Sequence, residues 1–211
     1  MSAELRDFDK EAALWDEHPG RVKVAKDVAA AILRNITVTD DMHVLDFGCG
    51  TGLVTLQLQP LVKNIVGMDS SHGMLDILKN KIDRLRLKNV AAKFLDLESG
   101  GTLGGSYDLA VSSMTFHHIR DIPGLLLQLF SCLVPGGRLC MADLDPDGGR
   151  FHENNAGVFH FGFDRNELRN LLLDAGFQDV RVSTAAEITK PDASGEIRTF
   201  TVFLMIVRKP V

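Results

Sequence analysis

Val44-Leu45-Asp46-Phe47-Gly48-Cys49-Gly50-Thr51-Gly52 is the stretch around which the chain is organised. A short apolar run carries an acid, glycines follow at three alternate positions, and Leu53-Val54 opens a second apolar segment. That order predicts strand, tight turn and helix, the first half of a βαβ unit. Glycines in such a turn permit positive φ and let a ligand approach the backbone without meeting a Cβ. One reading lays a nucleotide-like cofactor across the turn, with Asp46 organising the loop or meeting a cationic part of the ligand. The other is a Gly-rich connector with no ligand, and the stretch alone does not choose.

The spacing narrows the choice. A dinucleotide fold asks for G-x-G-x-x-G. Here the glycines run G-x-G-x-G, and Leu53 stands where that pattern needs its third. With the acid two residues ahead of Gly48, the string resembles motif I of the class I S-adenosylmethionine-dependent methyltransferases at every fixed position. That motif reads hydrophobic-hydrophobic-Asp/Glu-x-Gly-x-Gly-x-Gly.

Around this stretch the chain alternates. Strands are expected at His43–Phe47, Asn64–Met68, Val90–Leu95, Tyr107–Ser113 and Gly137–Ala142. Helices are expected at Leu53–Val62, His72–Leu87, Ile122–Leu133 and Arg165–Ala175, the last ended by Gly176. Such alternation predicts an α/β fold, a mostly parallel sheet with helices on both faces. Phe177–Ser183 and Thr199–Val207 also read as strands, but Thr184–Arg198 between them lacks helical periodicity, so they should pair as a terminal antiparallel hairpin. Ahead of the first strand, residues 5 to 17 suggest a short amphipathic helix. After the breaker His18-Pro19-Gly20, Val24, Val28, Ile32, Leu33 and Ile36 recur at helical spacing. This N-terminal helical extension should pack on the sheet or cap its ligand end. Trp15, the only tryptophan, is either a lid over a substrate or an anchor to the core.

At 211 residues and 45% hydrophobic, the chain has enough apolar material for one core. It is read as a single domain over 1–211, with a helical cap at 1–40 and the sheet domain at 41–211. No apolar run approaches the roughly 20 residues of a membrane span. The charged start (Glu4, Arg6, Asp7, Asp9, Lys10) does not read as a signal peptide. Cys49, Cys132 and Cys140 form an odd set without C-x-x-C, which reads as reduced thiols of a cytoplasmic protein. A net charge of −5 leaves no electrostatic footprint for nucleic acid. The basic run from Lys79 to Lys88, interleaved with Ile82, Leu85 and Leu87, reads as the solvated face of a helix. Oligomeric state is left open.

Other motifs extend the resemblance. Asp69 and Asp96 end or follow the second and third strands. Tyr107-Asp108-Leu109-Ala110-Val111-Ser112-Ser113 leads through Met114-Thr115-Phe116 to His117-His118, and Pro135-Gly136-Gly137 forms a turn before the fifth strand. Val134 replaces the family's basic residue there. The resemblance implies a seven-stranded sheet and S-adenosylmethionine as cofactor. It implies that Asp46, Gly48, Cys49, Gly50 and Gly52 form the cofactor loop, and that Asp69 accepts the ribose hydroxyls. Ser70 and Met74 would flank ribose and adenine, Asp96 would accept the adenine amino group beside Leu97, and Ser112 and Phe116 would lie toward the methionine end. Read locally, Asp69 can cap the helix near His72, a role Ser70 or Ser71 could fill just as well, Asp96 can start a loop, and Met74 and Phe116 can simply pack. Cys49 reads as a small packing residue.

An activated methyl donor needs no covalent enzyme nucleophile, only alignment and exclusion of water. A hydroxyl or protonated-amine acceptor benefits from a general base, and His117 and His118 are the candidates. The expected activity is methyl transfer to an oxygen, nitrogen or carbon of a small molecule. RNA or protein acceptors, or a non-catalytic scaffold, are the alternatives. The loop from Asp143 to Asp164 is the least family-like and should touch the acceptor. Asp143, Asp145, His152 and His160 within it match no metal spacing, so no metal is expected.

Overall fold

The computed structural model describes residues 7–192 and 194–211. Glu4, Arg6 and the expected helix start at residue 5 lie outside them. Seven strands form one sheet: β1 His43–Phe47, β2 Asn64–Asp69, β3 Val90–Phe94, β4 Tyr107–Ser113, β5 Leu133–Leu144, β6 Gln178–Pro191 and β7 Ile197–Arg208. Their order is β3-β2-β1-β4-β5-β7-β6. The first five run parallel, and β7 inserts antiparallel between β5 and β6.

The helices are α1 Phe8–Glu11, continued by a 3-10 turn over Ala12–Glu17, then α2 Pro19–Asn35, α3 Thr55–Leu58, α4 His72–Leu85, α5 Ile122–Cys132 and α6 Arg165–Asp174. Strand alternation divides the core between the two faces of the sheet. Val44, Leu109, Val111, Cys140 and Leu204 pack with Val28 and Ile32 of α2. Leu45, Ala110, Leu139, Met141 and Phe203 pack with Leu125, Leu126 and Leu129 of α5 and Leu168 and Leu172 of α6. Local caps set the helix starts. Asp121 accepts from the Gly124 amide, and Asp164 accepts from the amides of Asn166 and Glu167.

The structure corrects the sequence reading in four places. Pro19 and Gly20 open α2 rather than separating it from its start, because proline at the first helical position gives up no hydrogen bond. The helix expected at Leu53–Val62 is one α-turn, followed by a 3-10 turn over Gln59–Leu61 where Pro60 has no N–H to offer. β5 begins at Leu133, with the Pro135-Gly136-Gly137 turn absorbed as an irregularity in its pairing with β4. Most of Thr184–Arg198 is strand: β6 and β7 form a long ribbon closed by a turn at Asp192, whose side chain accepts from the Ser194 and Glu196 amides and from Arg198. No helix among the described residues is long and apolar enough to cross a membrane.

Candidate functional site

The carboxyl ends of β1, β2 and β4 open into a cleft of about 1050 Å³. In an open parallel sheet this is where ligands bind. The glycine loop forms its floor, and each of the three glycines serves a different purpose. All have positive φ, at 70°, 52° and 83° for Gly48, Gly50 and Gly52. A Cβ on Gly48 would stand 2.2 Å from the Thr115 side chain, and one on Gly52 would stand 2.5 Å from Leu78 Cδ1. Those two are fixed by the protein's own packing. A Cβ on Gly50 would meet only Met74 Sδ, at 3.9 Å, so this glycine faces the open cleft.

Asp46 lies beneath the loop, 1% exposed, and accepts a hydrogen bond from Thr55 Oγ1 at 2.5 Å. Burial pushes its carboxyl up to about 7; the Thr55 hydroxyl opposes the rise and the nearby Asp69 charge adds to it. The sign for stability follows. Between the ordinary value near 4 and about 7, the folded state holds a proton that the unfolded chain has released, so stability falls as pH rises through that window and levels off above it. Asp46→Asn keeps the shape without the titration. Relative to the native protein, the variant should gain about 2 to 4 kcal/mol between pH 5 and pH 8 in urea unfolding. A pH-independent difference would show that Asp46 is ionised throughout.

Asp69 ends β2, where burial raises its carboxyl and hydrogen bonds from the Ser71, Gly50 and Ser70 amides oppose that rise. Its Oδ2 accepts from the Gly50 amide at 2.8 Å and its Oδ1 from the Ser71 amide at 2.9 Å. A carboxylate has about four acceptor positions, and these three amides leave at least one of them open. The cap of α4 is Ser71, which accepts from the Met74 amide at 3.1 Å; Asp69 does not fill that role. Ser70, Met74, Asp96, Leu97 and Cys49 line the same cleft. Cys49 also packs on Gly67, whose Cβ would lie 2.8 Å from its Sγ. Asp96 Oδ1 holds the Glu98 amide and Oδ2 the Ser99 hydroxyl, so the local loop-forming role is present.

Three expected residues lie away from the cleft. Gly52 packs on Leu78. Ser112 is buried in β4, with no hydrogen-bond partner for Oγ among the described residues. Phe116 is 1% exposed and packs edge-on against Phe47 in the core. Their places at the cleft are taken by Ser113, Met114 and Thr115. Met114 has φ 57°, rare for a side chain with a Cβ, and the bend sets Thr115 Oγ1 3.3 Å from the Gly48 carbonyl.

At the other end of the cleft, Phe116–His118 form a 3-10 turn. His117 is 1% exposed, with Nδ1 2.7 Å from Asp143 Oδ1. Burial alone would raise the Asp143 carboxyl, but the charge and hydrogen bonds of His117, with the Leu144 amide, hold it below its ordinary value. His118 Nδ1 lies 2.7 Å from the Gly157 carbonyl. The loop after β5 docks on this turn, its Phe159 amide donating to the His117 carbonyl at 2.9 Å. That docking carries His152 to the two histidines, its ring centroid 5.1 Å from that of His117. Sequence reading placed His152 only in the loop, because no periodicity links it to His117. Asp145 and His160 are drawn off elsewhere, Asp145 to Arg165 at 2.7 Å and His160 to the Ile119 carbonyl at 2.9 Å.

The N-terminal helices were expected to pack on the sheet or to cap its ligand end. α2 packs on the sheet, while α1 and the following turn clasp the ligand end. Asp9 Oδ1 accepts from Ser71 Oγ and the Gly73 amide, and Asp16 accepts from Thr51 in the glycine loop. Lys81, expected in solvent, bridges Asp16 and the Thr51 carbonyl instead. Trp15 lines the cleft beneath the Arg21 guanidinium, 3.8 Å from its ring centre.

A family model described as a methyltransferase domain matches residues 20–182. The chain is a class I S-adenosylmethionine-dependent methyltransferase family member. The family's cofactor is S-adenosylmethionine. This methyltransferase-family chain is 32% identical over 182 residues to an uncharacterised methyltransferase of Schizosaccharomyces pombe, a match covering 79% of the chain and 64% of that relative. It is 27% identical over 188 residues to the O-methyltransferase cnsE of Penicillium expansum, covering 84% and 68%. Its fold is similar to part of phosphoethanolamine N-methyltransferase 2 of Haemonchus contortus, solved with S-adenosyl-L-methionine, with a TM-score of 0.72 at 14% identity over 98% of this chain and 61% of that one.

Proposed function

We propose that the protein methylates an oxygen of a small-molecule acceptor, using S-adenosylmethionine. The observation that carries this is a single cleft with a nucleoside-type cradle at one end and a histidine-rich, partly buried end opposite. The cradle fits the cofactor: Gly50 leaves room above the loop and Asp69 keeps acceptor capacity beyond its amide partners. The cofactor supplies a methyl group on a sulfonium, already activated for attack.

The chain's residues do the rest. Asp69 takes the ribose hydroxyls while holding the Gly50 amide, so sugar and loop are positioned together. Met74, Leu97 and the turn organised by Asp96 wall the base. Asp46 steadies the strand-to-loop bend and offers charge to the cationic end of the ligand above pH 7. Phe8, Trp15 and α1 cover the opening and exclude water. His117, oriented by Asp143, and His118 prepare the acceptor, which must shed a proton when its nucleophilic atom is a hydroxyl. The O-methyltransferase cnsE and the malonyl-[acyl-carrier protein] O-methyltransferase of Bacillus anthracis, 29% identical over 200 residues, support oxygen as the target.

The test is calorimetric titration with S-adenosylhomocysteine beside NAD, then transfer of labelled methyl to a panel of hydroxyl and carboxyl compounds. Saturable binding of the first, none of NAD, and labelled ether or ester products are expected. No S-adenosylhomocysteine binding, or label found only on nitrogen, would overturn the reading. His117→Ala should leave S-adenosylhomocysteine affinity within about twofold and slow turnover about tenfold to a hundredfold. Equal turnover would reduce catalysis to positioning.

A further inference from the structure

We propose that His117, His118 and His152 bind one divalent transition-metal ion, zinc or a close analogue, and that its open coordination position takes the acceptor oxygen. The inference rests on the function proposed above and gives it a means of activating the acceptor.

The three side chains come from two separate segments, the turn after β4 and the loop after β5. Each offers a ring nitrogen, and these ligand atoms all lie within 4.8 Å of one another. That is close enough for small rotations to bring them to the ~2 Å metal–nitrogen bonds of a tetrahedral site. Three imidazoles with a fourth position left open is a donor set for catalytic zinc, and imidazole favours zinc, copper, iron or nickel over magnesium and calcium.

The surroundings carry a second feature of a metal site. His117 Nδ1 faces the Asp143 carboxylate and His118 Nδ1 faces the Gly157 carbonyl, both at 2.7 Å. Both partners are acceptors, so both Nδ1 atoms carry the proton and the lone pair is on Nε2. A carboxylate or carbonyl fixing the tautomer of a ligating histidine is the usual outer shell of such sites. Asp143 is fully buried and spends its oxygens on His117 and the backbone, which suits orienting a ligand more than serving as one.

With the ion bound, the imidazoles act through it rather than as proton acceptors. An acceptor hydroxyl entering the open position forms a metal–oxygen bond, its O–H bond breaks, and the proton leaves to solvent. The result is an anionic oxygen held at the histidine end of the cleft.

The experiment uses the full chain, stripped with a chelator and dialysed. Zinc is titrated calorimetrically, and cobalt is titrated by visible absorption, which reports four-coordinate geometry independently of activity. One ion per chain with a four-coordinate cobalt spectrum is expected. Affinity should fall at least a hundredfold in His152→Ala and His118→Ala, and stay unchanged in His72→Ala, which alters an exposed histidine outside the cluster. His152→Ala keeps the test valid should His118→Ala fail to fold, since His152 sits in a loop and a thermal melt checks each variant. No saturable binding, or binding unaffected by His152→Ala, would overturn the metal site. S-adenosylhomocysteine titration of the stripped protein separates the two readings: binding there with no metal binding ends this inference and leaves the methyltransferase function standing.

Discussion

A protein carrying Gly50→Val is expected to bind S-adenosylhomocysteine at least 10³-fold more weakly than the native chain, a loss of about 4 kcal/mol. Within the protein a Cβ at this position meets nothing closer than Met74 Sδ at 3.9 Å, so the two extra methyl groups project into the cleft where the cofactor would lie. Valine at φ 52° is strained as well, because a β-branched residue avoids that region. Gly50→Ala separates the two effects. Alanine costs about 1 to 2 kcal/mol in a left-handed conformation, a small drop in melting temperature, yet it still places a Cβ against the ligand and should weaken binding at least tenfold. Gly48→Ala and Gly52→Ala should fail differently, by lowering the melting temperature, since their Cβ atoms would crowd the Thr115 and Leu78 side chains. Calorimetry and thermal melts on the four variants decide the matter. A folded Gly50→Val protein with native affinity would remove the loop from the binding site.

Asp69→Ala is expected to weaken S-adenosylhomocysteine binding by about 10² to 10³-fold. The ribose hydroxyls lose their charged acceptor, at about 1.5 to 3 kcal/mol per hydrogen bond. The Gly50 amide loses its acceptor at the same time, so loop and sugar are released together. Folding should suffer little, because removing the side chain also relieves the burial that raises its carboxyl. Asp69→Asn should be nearly as damaging as alanine. Both carboxylate oxygens accept from amides, of Gly50 and Ser71, so the asparagine NH₂ must face a donor whichever way it turns. Native affinity in both variants, measured by calorimetry, would leave Asp69 as a loop-holding residue with no ligand.

The fold was largely legible from local pattern. Alternating apolar strands and amphipathic helices located five parallel strands and their connections, since a parallel neighbour requires a crossover. The hairpin at the end followed from the same rule, though its length did not. Glu187, Ile188, Thr189 and Lys190 alternate in polarity too weakly to read as strand, and they are strand because β7 pairs with them.

The candidate site divides along the same line. Asp46, Gly50 and Asp69 were singled out because a strand end and its turn are local features, written in consecutive residues. Gly48, Gly50 and Gly52 look alike in sequence, and only the neighbours Thr115, Met74 and Leu78 separate packing glycines from the one that faces the cleft. Ser112 and Phe116 were expected toward the methionine end from the family resemblance, but Ser112 is buried in β4 and Phe116 packs against Phe47 in the core. His152 was out of reach altogether. Thirty-three residues separate it from His118, and their meeting depends on Phe159 reaching the His117 carbonyl and Asp145 being held by Arg165. Sequence alone determined the strands, the glycine turn after the first of them and the acids at the strand ends, because each is specified by residues a few positions apart. The tertiary structure alone decided which side chains share the histidine end of the cleft, because contacts across long loops are set by packing and leave no period in the chain.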